Sequence, residues 1–298
     1  MDSRAGLIER AAALLRNSNG DESGVPAPLA LGAPVAASAP VAPLTQSVVL
    51  DRHHLAETGI IMPWTTTARV VEEFRIVKRN IMFPWQAAEH LGTAEPAPKV
   101  VMVTSSRPRE GKTFCSINLA LAFAADQNFV TVLIDADAVR GDTARVLKVP
   151  TEPGLTDFLA GERALHDVLI QSDIPNLVIL PPGVYGPHVP ELLAGRGPSL
   201  LIAEIGRRYP EHVIVMDTPP CLASTDPAAL AQLAGQVVFV IEAGHTQQPE
   251  IDSSLNLLSG CRRISFLLNK AATGSSEHFG AYSYYYQPGS PAAKAGED

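Results

Sequence analysis

From Lys99 onward, short apolar runs rich in β-branched residues alternate with segments of helical periodicity. The apolar runs cover residues 99–105, 130–135, 176–181, 212–217, 236–242 and 264–269. Helices are expected between them at 113–126, 199–208, 226–234 and 249–258, with short helices over 155–171. Continuous apolar runs are typical of strands buried on both faces, and strands alternating with helices form parallel sheets. The alternation predicts an α/β fold with a doubly wound parallel sheet, whose ligands bind at the carboxyl ends of the strands.

The rest of the chain divides by composition. Residues 1–16 carry apolar side chains at helical spacing, and this short helix would either dock on its own domain or contact a partner or membrane surface. Residues 17–47 are rich in Pro, Ala, Gly and Ser, which is typical of a linker. We expect the folded domain at 48–272, with a first helix over 67–80, and a flexible tail at 273–298.

The stretch "SRPREGKT" follows the first strand of this alternation and precedes a helix. It has the form of a P-loop with Ser106 in the first small position. The backbone N–H groups of such a loop and the N-terminus of the following helix surround phosphate. Lys112 would reach the β- and γ-phosphates, and the Thr113 hydroxyl would bind Mg²⁺. The loop therefore predicts a site for a nucleoside triphosphate.

Polar side chains end three further strands. Asp135 and Asp137 follow one strand, and two carboxylates this close repel each other unless a cation lies between them. Elsewhere they would be solvated turn residues, but beside a P-loop they indicate Mg²⁺. Asp217 follows an apolar run as a Walker B carboxylate, which holds Mg²⁺ directly or through water. Asn269 ends the last strand, where it is either a reader of the adenine edge or an ordinary turn residue.

Composition excludes several function classes. The formal net charge is −8 and the pI is about 5.5, which argues against a nucleic-acid partner, because binding to phosphate backbones uses clustered Lys and Arg. Cys115, Cys221 and Cys261 lack metal-ligand spacing, and their odd number is typical of reduced cytosolic thiols. No stretch holds about 18 consecutive apolar residues, so we expect no transmembrane helix.

Four of the six tyrosines lie in the tail, as Tyr282, Tyr284, Tyr285 and Tyr286. A tyrosine is usually kept because its ring is buried while its hydroxyl finds a partner, and a flexible tail offers no core. The cluster is either a set of phosphate acceptors or an aromatic segment that packs on a partner. About a dozen residues separate Asn269 from the cluster, and a flexible chain of that length spans roughly 20 Å, enough to reach an adjacent site.

Taken in order, these motifs resemble the bacterial tyrosine kinases (BY-kinases) of exopolysaccharide and capsule synthesis, closest to the exosortase-associated tyrosine autokinases. The resemblance covers nearly the whole chain through "LIERA", "VEEFRIVKRN", "VTSSRPREGKTF", "LIDADAVR", "VIVMDTPP", "EAGHTQQ", "LLNKA" and the tyrosine tail. The P-loop and the acidic strand ends are shared with many P-loop ATPases. The tyrosine cluster is the element specific to this family.

The resemblance implies an autokinase that uses ATP and Mg²⁺ to phosphorylate the tail of a neighbouring copy. It implies that Asp137 and Asp217 serve the metal together with Thr113, and that Asp135 orients or deprotonates the incoming phenol. The residues implied to bind nucleotide are Ser106, Arg109, Glu110, Gly111, Lys112, Thr113, Phe114 and Asn269. The residues implied in catalysis are Lys112, Asp135, Asp137 and Asp217, and the acceptors are the four tail tyrosines.

The resemblance also implies partners. These are a membrane polysaccharide chain-length determinant that activates the kinase, a homo-oligomeric ring and a cognate tyrosine phosphatase. The protein would be cytoplasmic and recruited by its partner to the inner face of the membrane. Glu72, Arg75 and Lys78 match the Glu-x-x-Arg-x-x-Arg motif of subunit contact, with Lys in the last place. Lys lacks the bidentate fork of Arg, so we expect weaker ring assembly.

A second departure from the family lies in the P-loop, where Arg109 replaces the usual Gly. If this position needs a positive φ, Arg109 is strained; it would also add a cation beside the phosphates. Two other functions are therefore considered. A MinD/ParA-type positioning ATPase carries an extra Lys early in the loop, where this chain has Arg107, and a basic C-terminal element that this chain lacks. A non-catalytic regulator would bind nucleotide without phosphorylating the tail.

Overall fold

The computed structural model describes residues 42–62, 69–91, 98–261 and 263–271. The expected N-terminal helix, most of the expected linker and the tyrosine tail lie outside these residues. One sheet and the helices on its two faces make up the described part of the chain. Among the described residues, no helix combines the length and the apolar character that crossing a membrane requires.

The sheet has eight strands among the described residues. They are β1 (Gln46–Val48), β2 (Val100–Ser105), β3 (Val130–Asp135), β4 (Ile170–Ser172), β5 (Leu177–Leu180), β6 (His212–Asp217), β7 (Gln236–Glu242) and β8 (Ile264–Asn269). Their spatial order is β1-β4-β5-β3-β6-β2-β7-β8. Neighbours pair in parallel, except that β4 and β5 pair antiparallel. The expected α/β fold is therefore confirmed, with one short antiparallel strand added.

Helices cover both faces of this sheet. They are α1 (Arg52–Glu57), α2 (Arg69–Leu91), α3 (Lys112–Ala124), α4 (Asp142–Leu147), α5 (Leu155–Leu159), α6 (Leu165–Val168), α7 (Val189–Ala194), α8 (Gly197–Arg208), α9 (Asp226–Ala231) and α10 (Gln248–Leu257). One core cluster joins α1 to α4 with one face of the strands, including Phe74 and Phe123. The second cluster joins the remaining helices with the other face, including Ile205 and Leu230. This two-sided burial explains why β2, in the middle of the sheet, is buried along its whole length.

Several elements differ from the expected ones. The sheet begins at Gln46, so the boundary expected at Val48 falls inside β1, which pairs in parallel with β4. Ile170 belongs to β4 rather than to a short helix, because its side chain is buried against the sheet. The helix expected over 67–80 continues to Leu91, since Ile81 and Trp85 extend its buried face by another two turns. Pro84 lies inside this helix.

The last strand lies at the edge of the sheet and is only half covered. Phe266 and Leu268 of β8 are 56% and 62% exposed, while Leu267 between them packs on the core. Alternate residues of a strand point to opposite faces, so one face of β8 is buried and the other reaches solvent. The carboxyl ends of β2, β3, β6 and β7 nonetheless meet at one edge, as the alternation predicts, and the candidate site lies there.

Candidate active site

The P-loop connects the end of β2 to the start of α3. Gly111 caps α3 with φ +99°, a left-handed conformation that favours glycine. A Cβ at this position would lie 2.0 Å from Nδ2 of Asn269, so no larger residue fits here without moving Asn269. The N-terminus of α3 follows the loop that leaves the carboxyl end of β2, and a helix N-terminus in this position suits phosphate.

Arg109 has a φ of +71°, so the position does need the left-handed conformation. This conformation costs an L-residue roughly 1–2 kcal/mol, and the strain expected of Arg at this position is thus present. The backbone carbonyl of Arg109 accepts a hydrogen bond from Nζ of Lys270 at 2.8 Å. Lys270 also lies 3.1 Å from Oε1 of Glu242. Lys270, which follows β8, therefore holds the strained Arg109 in place from outside the P-loop.

Asp217 accepts hydrogen bonds from three hydroxyl groups. Thr113 Oγ1 and Thr143 Oγ1 donate to its Oδ2 at 2.7 and 2.8 Å, and Ser116 Oγ donates to its Oδ1 at 3.0 Å. Burial raises the pKa of Asp217, while the hydroxyl groups and the charge of Lys112 act in the opposite direction. The Walker B carboxylate and the P-loop threonine expected to bind Mg²⁺ are thus in direct contact.

Asp135 lies opposite Asp217 in the register of β3 and β6. Its two oxygens accept backbone hydrogen bonds from Ala144 at 3.1 Å and Asp137 at 3.2 Å. Burial raises its pKa well above the usual value for aspartate, and the charge of Asp217 adds to the effect. In this structure Asp135 fixes the loop after β3, and the role in orienting the phenol stays a prediction.

Asp137 follows β3 by two residues and is 4% exposed. Its Oδ1 accepts the N–H of Arg140 at 3.3 Å. Burial raises its pKa, the charge of Lys112 acts against this, and the negative charge of Asp226 adds to it. The charge of Lys112 thus lowers the pKa of both Asp137 and Asp217 against the effect of burial.

Glu110 is a buried carboxylate that braces the P-loop. Its Oε2 accepts the N–H of Arg107 at 2.7 Å, its Oε1 accepts the hydroxyl of Thr246, and its backbone carbonyl accepts Nδ2 of Asn269 at 2.9 Å. Asn269 therefore contacts the loop rather than standing as an ordinary turn residue. Its expected contact with adenine stays a prediction.

Further contacts fix the loop to α10. Ser254 Oγ donates to Oγ of Ser106 at 3.1 Å, and Arg107 lies 3.3 Å from Glu250. The ring of Phe114 makes an edge contact with Phe74 of α2, with centroids 6.0 Å apart. Its side chain therefore packs on the core, and its implied role in nucleotide binding stays a prediction.

The site also contains residues that the sequence reasoning missed. They are Thr143, Ser116, Thr246, Ser254, Lys270 and Asp226. The position of Ser116 one turn after Lys112 would have indicated its contact, because residues four apart lie on the same helix face. Lys270 and Thr246 lie in the motifs "LLNKA" and "EAGHTQQ", which resemble the family but did not mark these two residues. Thr143, Ser254 and Asp226 lie outside the quoted motifs.

The implied subunit-contact residues lie on α2. Arg75 pairs with Glu72 in the same helix. Lys78 lies 3.6 Å from Asp126, which follows the C-cap of α3, and both side chains are about one-fifth exposed. Lys78 thus contacts its own chain in this structure. The four tail tyrosines lie outside the described residues, so their role as acceptors stays a prediction.

Mg²⁺ fits the chemistry of this site. Asp135, Asp137 and Asp217 are all buried, their pKa values are raised by burial, and Asp135 and Asp217 also repel each other. A bound cation offsets both the cost of burying these negative charges and the repulsion between Asp135 and Asp217. Among the described residues, no group of three or more His, Cys, Asp or Glu could hold a metal alone. Mg²⁺ at nucleotide sites usually takes one or two carboxylates together with substrate phosphates, and this donor set matches that pattern.

Comparison with known proteins identifies relatives of the chain, although no family model matches it. It is 30% identical to the tyrosine-protein kinase YwqD of Bacillus subtilis over 216 residues, which cover 72% of this chain and 85% of YwqD. It is 27% identical to the tyrosine-protein kinase Ptk of Acinetobacter johnsonii over 275 residues, 91% of this chain. The crystal structure of the VpsO kinase domain is similar with a TM-score of 0.54 and 34% identity, covering 69% of this chain and 100% of that domain.

The relatives differ in length. The matched part is 36% of Ptk, so this chain spans about a third of that relative. The match to YwqD covers most of both chains, and the match to VpsO takes in that whole kinase domain. The resemblance inferred from the motifs is confirmed, and the chain belongs to the bacterial tyrosine-protein kinases.

Proposed function

We propose that this protein is an ATP-dependent tyrosine autokinase that phosphorylates the tail of a neighbouring copy and thereby regulates exopolysaccharide synthesis, export and chain length. One observation carries the proposal. The P-loop residue Thr113 donates a hydrogen bond to Asp217, and the buried Asp135 lies opposite Asp217 in the sheet. Its relatives YwqD and Ptk are named tyrosine-protein kinases. The four tail tyrosines provide acceptors within the same chain.

ATP is the phosphoryl donor in this proposal. The N–H groups of the loop and the Lys112 ammonium bind its phosphates, and Thr113, Asp137 and Asp217 hold Mg²⁺. Mg²⁺ supplies positive charge that neutralises the phosphate oxygens as the terminal group transfers. Asn269 contacts the adenine edge. Arg109, with its side chain at the loop, adds a second positive charge near the phosphates.

The acceptor is the hydroxyl of Tyr282, Tyr284, Tyr285 or Tyr286 from a second copy. The phenol oxygen bonds to the γ-phosphorus, the bond from this phosphorus to the bridging oxygen breaks, and ADP leaves. Asp135 orients the phenol and receives its proton, for which its raised pKa suits it. Each transferred group adds about −1.5 to −2 charges to an acidic tail.

Three partners belong to the proposal. A membrane polysaccharide chain-length determinant activates the kinase through a cytoplasmic segment and recruits it to the inner face of the membrane. Copies of the kinase assemble into a ring through α2, where Glu72, Arg75 and Lys78 contribute. The contact of Lys78 with Asp126 in its own chain supports weaker ring assembly. A cognate tyrosine phosphatase resets the tail.

The proposal is tested by incubating the full chain with Mg-ATP, with and without the cytoplasmic segment of the activator, and probing for phosphotyrosine. Lys112→Ala and the variant with all four tail tyrosines changed to Phe are the controls. An autokinase gives a signal that both variants lose. Release of phosphate without phosphotyrosine would indicate a positioning ATPase instead. Nucleotide binding with neither product, even with the activator segment, would indicate a regulator.

A further inference from the structure

A groove runs beside the active site between α7, α9 and α10. It consists of two adjoining cavities of about 500 and 470 Å³, which share Pro190, Asp226 and Leu257 in their walls. Apolar side chains form much of the groove, and Leu222 and Leu257 beside it are 44% and 46% exposed. Exposed leucines around a concave surface indicate a place where another apolar group binds.

Asp226 is the charged residue that gives this groove its chemistry. It is 8% exposed, and its backbone N–H donates to Ser224 Oγ at 3.2 Å. Among the described residues, no donor makes a hydrogen bond or ion pair with its carboxylate. A carboxylate is an acceptor only, so Asp226 offers an acceptor to a ligand that lies in the groove. The groove therefore suits a ligand that carries both a donor and an apolar body.

The position of Asp226 connects the groove to the reaction. It begins α9, which follows the loop after Asp217 at the carboxyl end of β6. Cys221 and Leu222 of that loop line the groove, and their backbone N–H groups donate to the carbonyls of Ser105 and Ser106 at 2.8 and 3.2 Å. A ligand in the groove would therefore lie next to the P-loop.

The tail of this chain has the required chemistry. Its tyrosines combine an aromatic ring with an O–H donor, and three of them, Tyr284, Tyr285 and Tyr286, are consecutive. The chain leaves the described structure after Ala271, at the same edge of the sheet, and about a dozen residues span roughly 20 Å. A basic partner would also pair with a carboxylate, but the apolar walls favour a phenol over a strongly hydrated ammonium group.

We propose that this groove binds an unphosphorylated tyrosine of the 282–286 segment of a second copy, with its hydroxyl donating to Asp226. The inference rests on the proposed autokinase function and adds a recognition site for its substrate. While one tyrosine occupies the groove, a neighbouring tyrosine of the same segment is held beside the phosphates.

Charge makes the groove selective. A phosphotyrosine carries about −1.5 to −2 charges and cannot donate as the phenol does. Asp226, which lines the groove, would repel it. The groove therefore retains a tail that still has free tyrosines and releases one that is fully phosphorylated.

The test is a double-mutant cycle on peptide binding. The receptor is the full chain with its four tail tyrosines changed to Phe, with or without Asp226→Ala. The probes are a labelled peptide of residues 279–289, the same peptide with Phe at the four tyrosine positions, and the peptide with four phosphotyrosines. Binding is followed by fluorescence anisotropy without nucleotide, so no phosphorylation occurs.

We expect Asp226→Ala to weaken binding of the tyrosine peptide about tenfold, because a hydrogen bond to a charged acceptor is lost. The Phe peptide should bind the original receptor about tenfold more weakly than the tyrosine peptide, and Asp226→Ala should then add little. Of the three peptides, the phosphopeptide should bind most weakly to the receptor that retains Asp226. It should bind more tightly to the Asp226→Ala receptor, because the repelling charge is gone. Asp252→Asn, an exposed change on α10, should have no effect.

Equal affinities of the Tyr and Phe peptides, or equal affinities of both receptors for the Tyr peptide, would overturn the proposal. Thermal melting of each receptor checks the fold, and Asp226→Asn serves as the milder variant if the Ala variant is unfolded. If the tyrosine peptide binds as expected but is not phosphorylated when Mg-ATP is added, the autokinase function is contradicted and the groove is not. If Asp226→Ala changes neither phosphotyrosine formation nor peptide affinity, the groove is contradicted while the autokinase function stands.

Discussion

Asp135 and Asp217 face each other at the carboxyl ends of β3 and β6, and both are almost fully buried. Adjacent strands lie about 4.8 Å apart, so two buried carboxylates are held at close range by the sheet itself. Burial, together with this proximity, raises the pKa of Asp135. The sheet thus holds two carboxylates in an unfavourable charge arrangement, which a bound cation relieves.

Asp217→Asn should weaken Mg²⁺ binding and with it the stabilisation of the fold by Mg-ADP. Without metal, the variant should melt at the same or a higher temperature than wild type, because one of two repelling charges is gone. With Mg-ADP at about 100 times its Kd, wild type should gain roughly 2.7 kcal/mol, and the variant should gain much less. Phosphotyrosine formation should fall roughly 100-fold.

Differential scanning fluorimetry with and without Mg-ADP measures the first effect, and Asp252→Asn is the matched control. A variant that Mg-ADP stabilises as strongly as wild type would contradict the assignment of Asp217 to the metal.

Arg109→Gly should stabilise the fold relative to Arg109→Ala. Both variants remove the guanidinium, but only Gly adopts φ +71° without strain. The difference should be about 1 kcal/mol, measured by urea denaturation. If Gly and Ala are equally stable at this position, the conformation of Arg109 is not strained. A lower affinity for ATP in both variants would show that the guanidinium contributes charge beside the phosphates.

Glu110 and Thr246 should act as one unit in holding the P-loop. Their side chains are joined by a hydrogen bond, and Glu110 also accepts the N–H of Arg107 at 2.7 Å. Glu110→Ala should weaken Mg-ATP binding about tenfold, since the backbone N–H of Arg107 loses its partner and the P-loop is held less firmly. Thr246→Val should have a smaller effect.

The double variant of Glu110 and Thr246 should bind Mg-ATP no more weakly than Glu110→Ala alone, which calorimetric titration can measure. Effects that simply add would show that the two side chains hold the loop independently.

The three cysteines should be unreactive in the native protein. Cys115, Cys221 and Cys261 are all free and buried, and burial, followed by the charge of Asp217, raises the pKa of Cys115 to about 12. Only the thiolate reacts. Titration with a thiol reagent at neutral pH should label all three in urea but almost none in buffer. Rapid labelling in buffer would mean that the core opens readily.

The sequence predicts the central sheet well because its signals are local. The bounds of β3, β6, β7 and β8 match the apolar runs, and the P-loop predicts both a strand and a helix. The short strands β1 and β4 were missed because three residues are too few for a periodic pattern, and β1 also gains its pairing from a distant segment.

In the candidate site, too, the sequence predicts residues that belong to a local motif and misses residues that only the fold brings together. Lys112, Thr113 and Asp217 were predicted because motif spacing encodes their chemistry. Thr143 and Thr246 were not, because their contacts join segments that only the folded topology brings together. The positive φ of Arg109 was anticipated from the family motif and is present.

The central claim is transfer of phosphate from the site of one copy to the tail of another. It is tested most directly by mixing two full-length variants, one with Lys112→Ala and an intact tail, the other with an intact site and its four tail tyrosines changed to Phe. The activator segment and Mg-ATP are present. The account predicts phosphotyrosine at residues 282–286 of the Lys112→Ala copy in the mixture and none in either variant alone. Bare tyrosines in the mixture would contradict it.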